Sequence, residues 1–92
     1  MLKNINVISG FLAENDDPKE IKKILYAVLT PAEIKDLASR WEIVKLLDKG
    51  MPQRAIAKKL HVSLCKITRG SKELKKRNSI LKKILNYKKQ QP

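Results

Sequence analysis

Residues 53–70 read QRAIAKKLHVSLCKITRG. The run holds two short helical patterns separated by a tight turn at His61-Val62. Ile56 and Leu60 on the first helix, with Val62 at the turn, can pack against Ile67 on the second. Ala57 falls at the expected closest crossing, where a larger side chain would push the helices apart. This is the pattern of a helix-turn-helix over about 52–74, whose second helix, 63–74, would turn its outward residues to a major groove. His61 stands at the turn position usually filled by glycine, and histidine tolerates a positive φ better than most residues. Ser63 is the expected N-cap, with no capping box behind it because Lys66 occupies N3. A plain helical hairpin is the competing reading of the same spacing.

Charge favours the first reading. The chain of 92 residues carries 21 Lys/Arg and 9 Asp/Glu, a net +12. Residues 1–47 hold seven of each sign and are neutral. Residues 48–92 hold fourteen Lys/Arg against Asp48 and Glu73 alone, so the whole excess lies in the half with the helix-turn-helix. Such an asymmetry is the electrostatic footprint of a nucleic-acid or anionic-surface partner.

The flanking sequence reads as helix throughout, with few glycines and no sustained alternation. A first helix is expected over about Lys3–Glu14, with Ile5, Ile8 and Leu12 on one face. Asp17-Pro18 signals a second start, followed by the stripe Ile21, Ile24, Leu25 and Val28. Thr30-Pro31 with Glu33 forms a capping box for a third helix running to about Lys49. Its inward residues are expected to be Ile34, Leu37, Ala38, Trp41, Val44 and either Leu46 or Leu47, and Gly50 stops it. A last helix is expected over about Ser79–Tyr87, followed by a frayed basic tail at 88–92. The expectation is one all-helical domain over 1–92 with about six helices.

Composition narrows the function classes. One cysteine precludes an internal disulfide framework, and one cysteine with one histidine precludes a self-contained zinc site. No paired acid and base, metal cluster or phosphate-cradling glycine loop is present, so no catalytic residue is assigned and an enzyme is not expected. There is no apolar run of membrane-spanning length and no apolar secretory start, so a cytoplasmic protein without a membrane partner is expected.

Leu29-Thr30-Pro31 with Glu33, Ser39-Arg40, Ile43-Val44, Leu46-Leu47, Gly50, Gln53-Arg54, Ile67-Thr68-Arg69-Gly70-Ser71 and Leu74-Lys75 resemble the tryptophan repressor family. The likeness covers roughly 29–75, and Ile-Thr-Arg-Gly-Ser after a helix-turn-helix is its most specific part. It implies an intertwined, two-fold symmetric, all-helical homodimer with projecting heads that bind a double-stranded DNA operator. It also implies L-tryptophan as a small-molecule corepressor wedged between the third helix and the recognition helix. By that resemblance Leu29, Thr30 and Arg40 would meet the ligand from one side, and Arg69, Gly70 and Glu73 from the other. Two guanidinium planes can sandwich an indole and bind a carboxylate, and a glycine lets a flat ring approach the backbone. Glu73 replaces a customary serine and Lys66 a customary threonine; Glu73 could hold an ammonium group or pair with Arg69 at i,i+4.

For DNA, Gln53, Arg54 and Ser63, with Lys58, Lys72 and Lys75, are candidates for phosphate contacts. Leu64, Cys65, Lys66 and Thr68 are candidates for reading the groove, and Arg54 could reach a guanine edge. The run Lys75-Lys76-Arg77 and the pair Lys82-Lys83 read equally as phosphate contacts or as a solvated face. The function expected is a sequence-specific transcriptional repressor. A ligand-independent regulator of the same fold and a nonspecific nucleic-acid-binding structural protein are the alternatives.

Overall fold

The structure, a computed structural model, describes residues 1–90 and is all-α. Six helices follow one another among the described residues: α1 (Asn4–Ala13), α2 (Pro18–Val28), α3 (Pro31–Asp48), α4 (Gln53–Leu60), α5 (Leu64–Lys75) and α6 (Ile80–Gln90). They belong to two compact units, Met1–Lys35 and the remainder from Asp36, so that α3 begins in the first and ends in the second.

Local chemistry sets the helix starts. At α2 the Asp17 carboxylate accepts the Lys19 N–H at 3.0 Å, and Pro18 takes the first helical position, where no N–H is needed. At α3 both halves of the capping box close: the Glu33 N–H donates to Thr30 Oγ1 at 3.1 Å, and the Thr30 N–H donates to Glu33 Oε1 at 2.9 Å. Ser63 caps α5 even without a box, because its own hydroxyl oxygen accepts the Lys66 N–H at 3.4 Å.

The ends of α3 and α4 use one terminator twice. Gly50 has φ +87° and the Met51 N–H donates back to the Leu46 carbonyl at 3.1 Å. His61 has φ 55° and ψ 45°, and the Val62 N–H donates back to the Ala57 carbonyl at 3.2 Å. Each left-handed residue reverses the chain and lets the next N–H satisfy a carbonyl that the helix leaves open. The expected positive φ at His61 is therefore present, and a histidine does there what glycine does after α3.

In the second unit the core forms two adjoining clusters. Ile43, Leu46, Ile56 and Ile67 are buried together, with Leu47, Met51, Ala57, Leu60 and Val62 packed against them. Val44, Leu74 and Leu85 form the other, flanked by Trp41, Leu47 and Leu81. The end of α3 is thus wrapped on more than one side, which corrects the expected stripe. Ile43 is buried although it falls off that stripe, Leu37 is exposed, and both Leu46 and Leu47 face inward. A helix with neighbours on two faces spreads its apolar residues around its axis, so a single-stripe reading misplaces some of them.

The first unit differs. No residue of α1 or α2 is buried, and Ile5, Ile8, Phe11, Tyr26 and Val28 are exposed. At the other end, α6 continues three residues past the expected stop at Tyr87. Lys88, Lys89 and Gln90 are good helix formers, and the first breaker is Pro92. Of the expected frayed tail, residues 91–92 lie outside the described residues.

Candidate DNA head and ligand cavity

The head is α4 and α5, packed together through Ile56 and Ile67, each fully buried. Burying such side chains stabilises by about 1.5–3 kcal/mol each, so the turn between the helices is held from beneath as well as by its own hydrogen bonds. A polar brace adds to this. The Thr68 hydroxyl lies 3.0 Å from the Leu64 carbonyl and 3.2 Å from Gln53 Oε1, tying the start of α4 to the middle of α5.

Rotation of α5 is set by its buried residues Ile67, Ser71 and Leu74. At about 100° per residue, the remaining positions divide into two flanks. Leu64, Thr68, Lys72 and Lys75 lie on one flank; Lys66, Arg69, Gly70 and Glu73 lie on the other. The DNA candidates and the ligand candidates, mixed in sequence, thus separate in space. Lys66 goes with the ligand group, and Cys65 stands on the outer side between the flanks. On the α4 side Arg54 and Lys58 are exposed, and Gln53 is half-buried in its contact with Thr68.

The second flank of α5 borders a cavity of about 520 Å³, closed on the other side by α3 and α6. Arg40, Lys66, Arg69 and Glu73 supply its charged groups, and Gly70 part of its wall. Leu37, Trp41, Ile43, Val44, Leu81 and Ile84 make the rest apolar, apart from Cys65 at the rim. The size lies within the usual range for small-molecule sites, as does the pattern of an apolar wall with few convergent charges. Four of the six expected ligand residues, Arg40, Arg69, Gly70 and Glu73, therefore meet at one cavity. Leu29 and Thr30 belong to the first unit, where Leu29 ends α2 and Thr30 caps α3. Trp41, Leu81 and Ile84 were not foreseen as cavity residues, since in sequence an apolar lining residue is indistinguishable from a core one.

Ion pairs qualify the charges. Glu73 pairs with Lys76 at 2.8 Å, not with Arg69 as the i,i+4 spacing allowed. The Lys66 ammonium lies 3.8 Å from the Asp36 carboxylate, a long and half-exposed pair. Pairs of this kind contribute about 0–1 kcal/mol, so they leave both side chains easy to redirect. At Gly70 an added Cβ would meet Ile43 Cγ2 at 3.5 Å and Leu47 Cδ1 at 3.6 Å, ordinary contact distances. An alanine at this position would therefore fit between α5 and α3.

Among the described residues no group of three His, Cys, Asp or Glu could hold a metal ion. No helix among them is long and apolar enough to cross a membrane.

Comparison with known proteins identifies the family. The family model described as Trp repressor protein matches residues 3–89. A Trp operon repressor homolog of Xylella fastidiosa (strain M23) is 39% identical over 79 residues, covering 83% of this chain and 86% of the relative. One from Chlamydia trachomatis serovar L2 is 40% identical over 68 residues, covering 73% and 72%. Another, from Pasteurella multocida, is 46% identical over 55 residues, covering 59% and 54%. No solved structure gives a significant match. With the family model matching nearly the whole chain and the six-helix fold agreeing with it, this protein belongs to the Trp repressor family, a family of regulators rather than enzymes.

Proposed function

We propose that the chain is a sequence-specific DNA-binding repressor that acts as a two-fold homodimer and uses L-tryptophan as its corepressor. The observation that carries this reading is the cavity directly behind α5, flanked by Arg40 and Arg69 and walled by Gly70. A planar ring between two guanidinium groups would be held by cation–π attraction, and its carboxylate would find the same cations. Because α3 and α5 both line the cavity, a ligand there sets the angle at which α5 leaves the core. Thr30 and Leu29 complete the ligand set by the family resemblance.

In the dimer each α5 enters a major groove of operator DNA, the two heads addressing half-sites about one helical turn apart. Leu64 and Cys65 at its leading end read base edges, with Thr68 holding the head together through Gln53. Arg54, Ser63, Lys72 and Lys75 position the head on phosphates. The exposed apolar residues of α1 and α2 support the dimer, since a second copy would cover them.

The test is DNA-binding anisotropy on an operator-like palindrome and a scrambled duplex, with and without L-tryptophan. The expected result is tighter binding to the palindrome alone when tryptophan is present, and loss of that response in Arg40→Ala with an unchanged fold. A palindrome preference indifferent to tryptophan removes the corepressor from the reading and keeps the regulator. Equal binding to both duplexes at every tryptophan concentration overturns it.

A further inference from the structure

The corner between α5 and α6 carries a positive surface that the helix-turn-helix does not use. From Leu74 to Pro92 the sequence has seven Lys/Arg and no carboxylate. Helical phase fixes where the described ones point. Leu85 is buried and Leu81 packs beside it in the cluster with Val44 and Leu74. Lys82 and Lys83, one and two steps of about 100° beyond Leu81, are therefore turned away from the core, and both are exposed. Arg77 lies in the connecting segment and is exposed too. Ser79 is buried and accepts the Lys82 N–H at 3.4 Å, which caps the start of α6. Lys76 already has Glu73 at 2.8 Å; among the described residues no ion pair engages Arg77, Lys82 or Lys83.

We infer that Arg77, Lys82 and Lys83 form a second phosphate-binding surface, which grips the backbone of duplex DNA flanking the segment read by α5. The inference rests on the DNA-binding reading above. Length supports it: α5 has 12 residues, about 18 Å of helix, against a major groove about 8.5 Å deep. A helix about twice as long as the groove is deep, with its N-terminal turn at the bases, carries its C-terminal turn outside the groove, on the side of the phosphates. The corner continues from there, next to Lys72 and Lys75. Duplex DNA is favoured over a lipid surface because the corner follows directly on Lys72 and Lys75 of the DNA flank of α5; since Ile80, Ile84 and Tyr87 of α6 are exposed, anionic vesicles are the competing occupant in the test.

The experiment uses the full chain on random-sequence duplexes of about 16 and about 40 bp, over a salt series. It compares wild type, the corner variant R77Q/K82Q/K83Q, and K19Q/K22Q/K23Q, which removes the same charge from α2. For the corner variant the slope of log K against log salt is expected to fall by about 2–3 on the long duplex, at about 0.9 per phosphate contact, and by less than about 1 on the short one. The α2 variant keeps the wild-type slopes on both. An unchanged slope on the long duplex overturns the second surface, as does an equal loss from the α2 variant. Equal loss on both lengths overturns its flanking position. Loss of binding to phosphatidylserine vesicles with unchanged duplex slopes reassigns the surface to membranes and overturns the inference as well. In all of these the wild type binds DNA; no wild-type affinity for either duplex at low salt removes the DNA-binding reading itself, and this inference with it. The three side chains are exposed, so circular dichroism of the corner variant matches wild type.

Discussion

The residues from Asp36 onward and the first 35 residues are both helical, yet only the former have a core within one chain. Ile43, Ile56 and Ile67 are at or near zero exposure, whereas α1 and α2 bury nothing. Apolar content does not explain the difference, because α1 alone carries Ile5, Val7, Ile8, Phe11 and Leu12. What differs is the supply of partners. In the second unit α3, α4, α5 and α6 pack on one another, so the side chains of the two core clusters meet others from a different helix. Helical stability mostly comes from packing of this kind and little from propensity. The first unit has side-chain caps at the starts of α2 and α3 and exposed apolar surface, which is the surface the proposed dimer would cover.

Four measurements sharpen or break that contrast. The largest effect is expected for Ile67→Ala, which empties a fully buried site and should destabilise by about 2–5 kcal/mol in urea unfolding. A loss under about 1 kcal/mol would show that the four-helix core is not what holds the second unit. Next comes Phe11→Ser, at a side chain 54% exposed. If a second copy covers α1, this change shifts the monomer–dimer equilibrium by tenfold or more in sedimentation, about 1.4 kcal/mol or greater. An unchanged equilibrium would leave α1 outside any interface.

Smaller effects test the local devices. Thr30→Ala removes one half of the capping box at the start of α3 and should cost about 1 kcal/mol. His61→Gly should act in the opposite direction, raising stability by about 0.5–1 kcal/mol, because it relieves a left-handed backbone conformation at φ 55°. A loss on His61→Gly would mean that the imidazole contributes more than its backbone strain costs.

Much of the helix framework was legible beforehand. The helix starts at Pro18, Pro31 and Ser63, the stop at Gly50 and the left-handed His61 depend on neighbours a few residues away, and such signals survive in one dimension. The split of α5 into a DNA flank and a ligand flank was not legible. Residues 63–75 alternate between the two roles, and only the buried positions Ile67, Ser71 and Leu74 reveal which way the helix is turned. Lys66 moved to the cavity side for that reason. Glu73 chose Lys76 over Arg69 for a related one, since rotamers within a helix surface are decided by what surrounds it.

By itself, then, the sequence determined the helical order, the caps and terminators, the concentration of positive charge after residue 47 and the likeness to a repressor family. Those properties are local or additive. The tertiary structure decided which face of α3 is inside, which residues enclose the cavity with Arg40 and Arg69, and where Lys82 and Lys83 point. Each of these depends on several helices packing at once, and helical periodicity records only that an apolar side exists, not which neighbours will cover it.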